Sequence, residues 1–304
     1  MRIWFEAFRW KNLVIATTIL LAFRIGIHEP IGFPSRLPDW AFGLAVLSTI
    51  FAMAYGYLIN DIRDRTTDEV NKPERAKLFK KHTLEEINVV AYALAASSML
   101  IGAFLAMYID RWRYIALPAI TLLLLHQYAH HLKGRPFIGN VLVAFLASLM
   151  VVSLLAFDVL PVLENNVDIK NQFQGLVYIY LAFAGFAFHI TLIREIVKDL
   201  EDVEGDKRAG YRTLPIVIGE RPSRLIAFLL ALIFSIISIR FTIAVWQEDY
   251  SYWLIYAIVA VYSLYILYLL RPGERLVNYK IVQRTLKILM LMGILLLPLL
   301  SFIG

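Results

Sequence analysis

The chain has 304 residues, 60% of them hydrophobic, a mean hydropathy of +0.65 and a formal net charge of +6. Apolar stretches recur along its whole length and leave no room for a soluble domain of useful size. It contains no cysteine, which excludes disulfides, thiolate metal sites and thiol catalysis, so its chemistry must use oxygen and nitrogen groups.

Runs of about 20 apolar residues bounded by charges, Pro or Gly predict spans near 12–29, 40–60, 88–108, 113–131, 138–157, 174–197, 223–244, 251–270 and 284–303. The expectation is an all-α polytopic membrane protein with about nine transmembrane helices, read as one domain over residues 1–304. The first span follows Arg9 and Lys11, holds Arg24 and lacks a small-residue cleavage site, which reads as a retained helix. Of the 30 Lys and Arg residues, 23 fall at the N-terminus and in the segments near 61–87, 132–137, 198–224 and 271–287. Five fall on the alternate side, and Arg194 and Arg240 lie within spans. Because cytoplasmic loops are enriched in Lys and Arg, this bias places the N-terminus and both acidic clusters in the cytoplasm and the C-terminus outside, and calls for no nucleic acid; the expected location is the cell (inner) membrane.

The second span ends in Asn60-Asp61-x-x-Asp64-x-x-x-Asp68, followed by a basic loop of roughly 27 residues containing Pro73. Within it 75–88 is expected to form a short surface helix, with Thr83, Glu85 and Glu86 marking a helix N-terminus. The end of the fourth span and the start of the fifth carry Tyr128-Ala-His-His-Leu-Lys133 and Asn140. His126 and His130 have the spacing of helical metal ligands, but only His131 stands near as a third ligand, and His189 reads as a hydrogen-bonded core residue. The sixth span carries Arg194 and Lys198 and ends in Asp199-x-x-Asp202-x-x-x-Asp206, followed by a loop of roughly 25 residues in which 214–225 is expected to form a second surface helix.

The two acidic clusters share one spacing 138 residues apart. On a helix, offsets of 0, 3 and 7 fall at roughly 0°, 300° and 340°, so each cluster is expected to aim three carboxylates along one face. Six acids at the edge of a membrane repel one another unless cations neutralise them, and short carboxylates suit Mg²⁺ bridged by phosphate oxygens. The pattern points to a metal-bound diphosphate.

NDIRDRTTDEVNKPER and REIVKDLEDVEGDKRAGYRTLP resemble the two aspartate-rich signatures of the UbiA superfamily of intramembrane prenyltransferases. The 128–140 segment resembles the stretch that this family carries between helices four and five. Asn12 sits where the family has Arg-Pro-x-Asn, which reads Arg-Trp-Lys-Asn here, and Ala76 replaces a proline often found after the first motif.

The resemblance implies nine helices around a central cavity capped by the two cytoplasmic loops. It also implies two Mg²⁺ ions held by Asp61, Asp64, Asp68, Asp199, Asp202 and Asp206, with Asn60 completing a metal shell. The substrate-binding residues it implies are Asn12, Arg65, Tyr128, Lys133, Asn140, Arg194 and Lys198. The partners would be a prenyl diphosphate and a lipophilic acceptor. The second motif is most similar to enzymes that add a geranylgeranyl chain to geranylgeranylglyceryl phosphate. The alternative acceptor is aromatic, such as 4-hydroxybenzoate or a quinone precursor. A transporter with an internal repeat and a non-catalytic prenyl-lipid-binding protein are the competing classes. Acids at helix ends rather than at depth argue against transport.

Overall fold

Apolar segments in lipid must pair their own backbone groups, which selects helices. The computed structural model describes residues 2–65, 73–248, 253–273 and 277–300, and no strand occurs among them. In chain order the helices are α1 Arg2–Ala7, α2 Trp10–Phe23, α3 Asp39–Arg63, α4 Pro73–Lys81, α5 Leu84–Tyr108, α6 Ala116–Gln127, α7 Ile138–Leu154 and α8 Leu160–Asn165. They continue with α9 Val167–Phe173, α10 Gly175–Glu201, α11 Val203–Arg208, α12 Leu214–Ile218, α13 Glu220–Glu248, α14 Trp253–Leu270 and α15 Tyr279–Leu300. Single π turns follow α2, α6 and α7, at Arg24–His28, Tyr128–Leu132 and Leu155–Val159.

Among the described residues six helical stretches are long and apolar enough to cross a membrane: Trp10–His28, Asp39–Arg63, Leu84–Tyr108, Ile138–Asn165, Gly175–Glu201 and Glu220–Ile243. Tyr256–Leu270 is a shorter apolar helix. The expected fourth span is a 3-10 turn at Trp112–Ile115, α6 and a π turn in succession. The chain is an integral membrane protein.

Both expected surface helices are redrawn. The capping box at Thr83, with Glu86 N–H donating to Thr83 Oγ1 at 3.2 Å and Thr83 N–H to Glu86 Oε2 at 3.0 Å, opens the long helix α5. The surface helix is therefore the separate α4, which stops at Lys81. Likewise 214–225 is the single turn α12, then Gly219 at φ 92, then the start of α13. A positive φ is a conformation that glycine adopts without steric penalty, and it breaks the helix there.

Packing groups the chain into two compact units. The first comprises Met1–Leu20, Phe33–Lys133 and Leu146–Ala184; the second comprises Leu21–Gly32, Gly134–Phe145 and Gly185–Gly304.

In the first unit α3 lies against α5. Ser48 Oγ donates to Ser98 O and Ser98 Oγ to Ser48 O, both at 2.9 Å, so two buried hydroxyls satisfy each other's backbone inside an apolar pair. Gly56 lets Leu125 of α6 approach α3, and Gly102 does the same for the Pro118 ring against α5. Below these contacts Ala7, Tyr55, Leu58, Ile59, Leu78, Ile87, Ala91 and Ala129 form a buried cluster, and Trp4 of α1 packs on His82 with ring centroids 4.9 Å apart. This cluster ties α1 and α4 to the end of α3 that carries the first aspartates.

In the second unit α10 is held by α13 and α15. His189 Nε2 donates to Leu230 O at 2.8 Å, Phe186 meets Phe234 at 5.4 Å, and Gly293 admits the Phe186 ring. Gln283 donates to Glu201 Oε2 at 2.6 Å.

A Cβ at Gly102 would stand 2.6 Å from Pro118 Cγ, whose ring has little freedom to move, whereas nothing lies within 4 Å of a Cβ at Gly43. Gly102→Leu should therefore lower stability by about 1–3 kcal/mol, as overpacking does. Gly43→Ala should leave thermal unfolding in detergent unchanged or slightly raised, and the two unfolding curves check the contrast.

Candidate functional site

Each acidic cluster begins on a long apolar helix and runs past its end. In the first unit α3 stops at Arg63, and Asp64 is its C-cap at φ −84 and ψ 0. In the second unit α10 stops at Glu201, and Asp202 separates it from α11, which carries Asp206. The expected single helical face of offsets 0, 3 and 7 is thus replaced by a helix end in the middle of each motif. Carboxylates at a helix C-terminus oppose the macrodipole, so a run of aspartates is a poor helix continuation. Asp68 lies outside the described residues.

At the first cluster Asn60, Asp61 and Asp64 are all buried. Asp61 Oδ1 accepts from Arg9 Nη2 at 2.6 Å, and the Arg9 guanidinium lies over the Tyr57 ring at 4.5 Å. Arg9 adopts φ 53 between α1 and α2. That left-handed conformation costs a non-glycine residue of order 1–3 kcal/mol, and its persistence here belongs to the turn that delivers the guanidinium to Asp61. Asn12 Nδ2 donates to Tyr57 OH at 3.1 Å, so Tyr57 is held from both sides. Asp64 Oδ2 accepts from Asn60 Nδ2 at 2.9 Å and pairs with the Lys133 ammonium.

Lys133 reaches Asp64 because of the π turn before it. Lys133 N–H bonds Tyr128 O at 2.9 Å, five residues back. One extra residue in a helical turn rotates all that follows by roughly 100° relative to an uninterrupted α-helix. Tyr128 opens that turn. Arg65 takes a different course, with its guanidinium 5.6 Å from the Phe79 ring on α4.

The second cluster has a different set of supports. Asp199 Oδ2 accepts from Asn140 Nδ2 at 2.7 Å. Arg194 and Lys198 hold the buried Glu195, with Arg194 Nη1 at 2.9 Å from Oε1 and Lys198 Nζ at 3.2 Å from Oε2. Backbone bonds wind the rest of the motif, with Asp202 N–H to Lys198 O, Asp206 N–H to Asp202 O and Tyr211 N–H to Asp206 O, each at 2.9 Å. The Arg212 N–H then donates to Gly134 O at 3.0 Å, which ties the loop after the second motif to the segment leading to Asn140. Gly134 permits this approach, since a Cβ there would lie 2.9 Å from the Tyr211 ring.

Among the described residues no three His, Asp or Glu side chains converge as a protein-only metal cage. Mg²⁺ is usually held by one or two carboxylates, with substrate phosphate oxygens and water as its other ligands. Asp61 and Asp64 supply hard oxygen ligands, while Arg9 and Lys133 beside them supply cations of the kind that bind phosphate. His126 is accounted for elsewhere, since its Nδ1 shares a hydrogen bond of 3.0 Å with Tyr55 OH. Its ring stacks on His130 at 4.0 Å, and His130 Nδ1 donates to His126 O.

Two contributors were missed in the sequence. Arg9 read as a topology cation, although its place three residues before Asn12 was a signal. Tyr57 stands four residues before Asp61, one helical turn away, and nothing in its identity separates it from interfacial tyrosines.

Residues 13–299 match the UbiA prenyltransferase family. A digeranylgeranylglyceryl phosphate synthase of Methanobrevibacter smithii is 34% identical over 191 residues, or 62% of each chain. One of Thermococcus kodakarensis is 30% identical over 215 residues, or 70% of each chain. The chain spans 62% and 59% of the length of the synthases of M. smithii and Natronomonas pharaonis. Among solved structures, one from work on digeranylgeranylglyceryl phosphate synthase in membranes superposes with a TM-score of 0.67 at 24% identity, covering 99% of this chain and 98% of that one. A UbiA homolog from Archaeoglobus fulgidus bound to GPP and Mg²⁺ gives 0.63 at 16% identity, covering 98% and 99%. At these identities the structures speak to the fold alone.

Lys133→Met would leave the buried Asp64 without its ammonium. Removing one partner of a buried pair costs about 3 kcal/mol or more, so thermal unfolding in detergent should move down clearly. Adding Asp64→Asn to the same chain should recover part of the loss, and the double-mutant cycle reads the coupling.

Proposed function

The chain belongs to the UbiA prenyltransferase family, and on that premise we propose that it transfers a polyprenyl group, of geranylgeranyl type, from its diphosphate to geranylgeranylglyceryl phosphate. The observation that carries this reading is the pairing of buried acids with cations at the end of an apolar helix, Asp61 with Arg9 and Asp64 with Lys133. Metal ligands and phosphate ligands are thereby interleaved, as a metal-bound diphosphate requires. The relatives of M. smithii and T. kodakarensis, named digeranylgeranylglyceryl phosphate synthase, support the acceptor. The homolog bound to GPP and Mg²⁺ supports the donor and the cation.

In this reading Asp61, Asp64 and Asp68 and, from the second motif, Asp199, Asp202 and Asp206 bind two Mg²⁺ ions, with Asn60 beside the first set. Bound Mg²⁺ stabilises the charge that develops on the leaving diphosphate. Arg9, Lys133, Arg194 and Lys198 contact phosphate oxygens, exchanging carboxylate partners for phosphate as substrate arrives. Asn12 acts through Tyr57, which backs the Arg9 guanidinium. Asn140 orients Asp199. Tyr128 sets the π turn that places Lys133, and Arg65 completes the basic edge. The apolar walls exclude water from the allylic cation, which aromatic faces favour. Residues 1–304 work as one prenyltransferase domain, and the bias of Lys and Arg supports an active face toward the cytoplasm at the cell (inner) membrane.

The experiment is turnover of radiolabelled geranylgeranyl diphosphate by purified protein, with and without Mg²⁺, against prenylglyceryl phosphate and aromatic acids. Ether product that requires both Mg²⁺ and the glyceryl phosphate is expected. A product only with an aromatic acid would replace the acceptor, and no product with any acceptor would sink the reading.

Asp64→Ala and Asp202→Ala should each abolish turnover while the protein remains monodisperse in detergent. Full activity in either variant contradicts the assigned metal roles.

A further inference from the structure

Threonines buried in apolar helices normally return their hydroxyl to the carbonyl four residues earlier. The buried Thr285 and the half-buried Thr49, Thr121 and Thr242 do so, at 2.8–3.0 Å. Thr191 does not. It is 4% exposed, and its Oγ1 has no hydrogen-bond partner. Burying a hydroxyl without a partner is unfavourable, so such a group in a well-packed helix calls for a ligand atom.

Its position on α10 says which ligand. Thr191, Glu195 and Asp199 are spaced i, i+4, i+8 and so form one stripe, each about 6 Å from the next along the axis. His189, which bonds α13, lies about 160° around the helix from Thr191. Thr191 and Glu195, about 160° and 120° around from His189, therefore lie on the side of α10 turned away from that contact, and the stripe drifts toward it at Asp199. Asp199 marks its outer end, where Asn140 holds the carboxylate. Glu195 is buried one turn further in, and Thr191 two turns further in.

We propose that Thr191 and Glu195 form the acceptor-hydroxyl subsite: Thr191 hydrogen-bonds the acceptor's polar end, and Glu195 receives the proton of the hydroxyl that is prenylated. The inference rests on the function proposed above. With the diphosphate at the level of Asp199, the apolar prenyl chain extends inward, and the allylic carbon lies roughly one helical turn below, at the level of Glu195.

The step balances as follows. The allylic carbon–oxygen bond breaks, and its electron pair leaves with the diphosphate. A lone pair on the acceptor oxygen forms the new carbon–oxygen bond. The proton on that oxygen passes to a Glu195 carboxylate oxygen and then to the released diphosphate. A protonated ether is a strong acid, so a carboxylate suffices to take its proton.

Transfer and hydrolysis are measured together on the full chain in detergent, using geranylgeranyl diphosphate, geranylgeranylglyceryl phosphate and Mg²⁺. Thr191→Val keeps the shape and removes the hydroxyl. It should raise the acceptor KM about tenfold, leave the prenyl diphosphate KM unchanged, and be rescued by Thr191→Ser. Glu195→Gln should lower ether formation by about a hundredfold and raise the ratio of prenol to ether, because ionisation continues and water captures the cation. A glutamate that only positions Arg194 and Lys198 would lower prenol and ether together. An unchanged acceptor KM in Thr191→Val, or an unchanged ratio in Glu195→Gln, overturns the proposal. If the wild-type chain makes no ether with the glyceryl phosphate, the functional reading itself fails, and this inference falls with it.

Discussion

A carboxylate at the end of an apolar helix must be met by positive charge, because neither lipid nor a packed interior solvates it. This constraint organises the first cluster. Asp61 draws Arg9 across from the turn between two helices, and Asp64 draws Lys133 from a π turn. Each cation comes with an irregularity in the backbone, a left-handed residue in one case and an extra residue in the other. Regular helices alone would not deliver these side chains. The departures from ideal geometry therefore sit where the chemistry is, as expected when local strain is retained for function.

The two clusters have the same spacing but different supports. Arginine and lysine answer the first, whereas an asparagine amide answers Asp199. Arg194 and Lys198 beside the second motif hold Glu195. An amide donor stabilises a carboxylate without neutralising it, whereas Asp61 and Asp64 are each met by a full cation.

The acidic clusters were legible because aspartates stand out in a chain of this composition, and a repeat at fixed spacing is hard to mistake. Six of the nine expected spans were legible through the length of their apolar runs. Other features were hidden for identifiable causes. The helix breaks at Asp64 and Asp202 depend on charge opposing the macrodipole, which a periodicity reading ignores. Thr83 was recognised as a cap but assigned to the wrong helix, since a capping box marks a start without saying what precedes it. Arg9 was lost among topology cations, and Glu195 was visible only as a neighbour of Arg194. Thr191 carried no signal, because a threonine in an apolar span is ordinary until its hydroxyl is found without a partner.

The short helix α1 is packed into the same buried cluster as α4, through Ala7, Leu78 and the contact of Trp4 with His82. An affinity tag or fluorescent protein joined ahead of α1 would pull on the one turn that aims Arg9. Moving α1 would therefore act on the first cluster through the turn that carries Arg9.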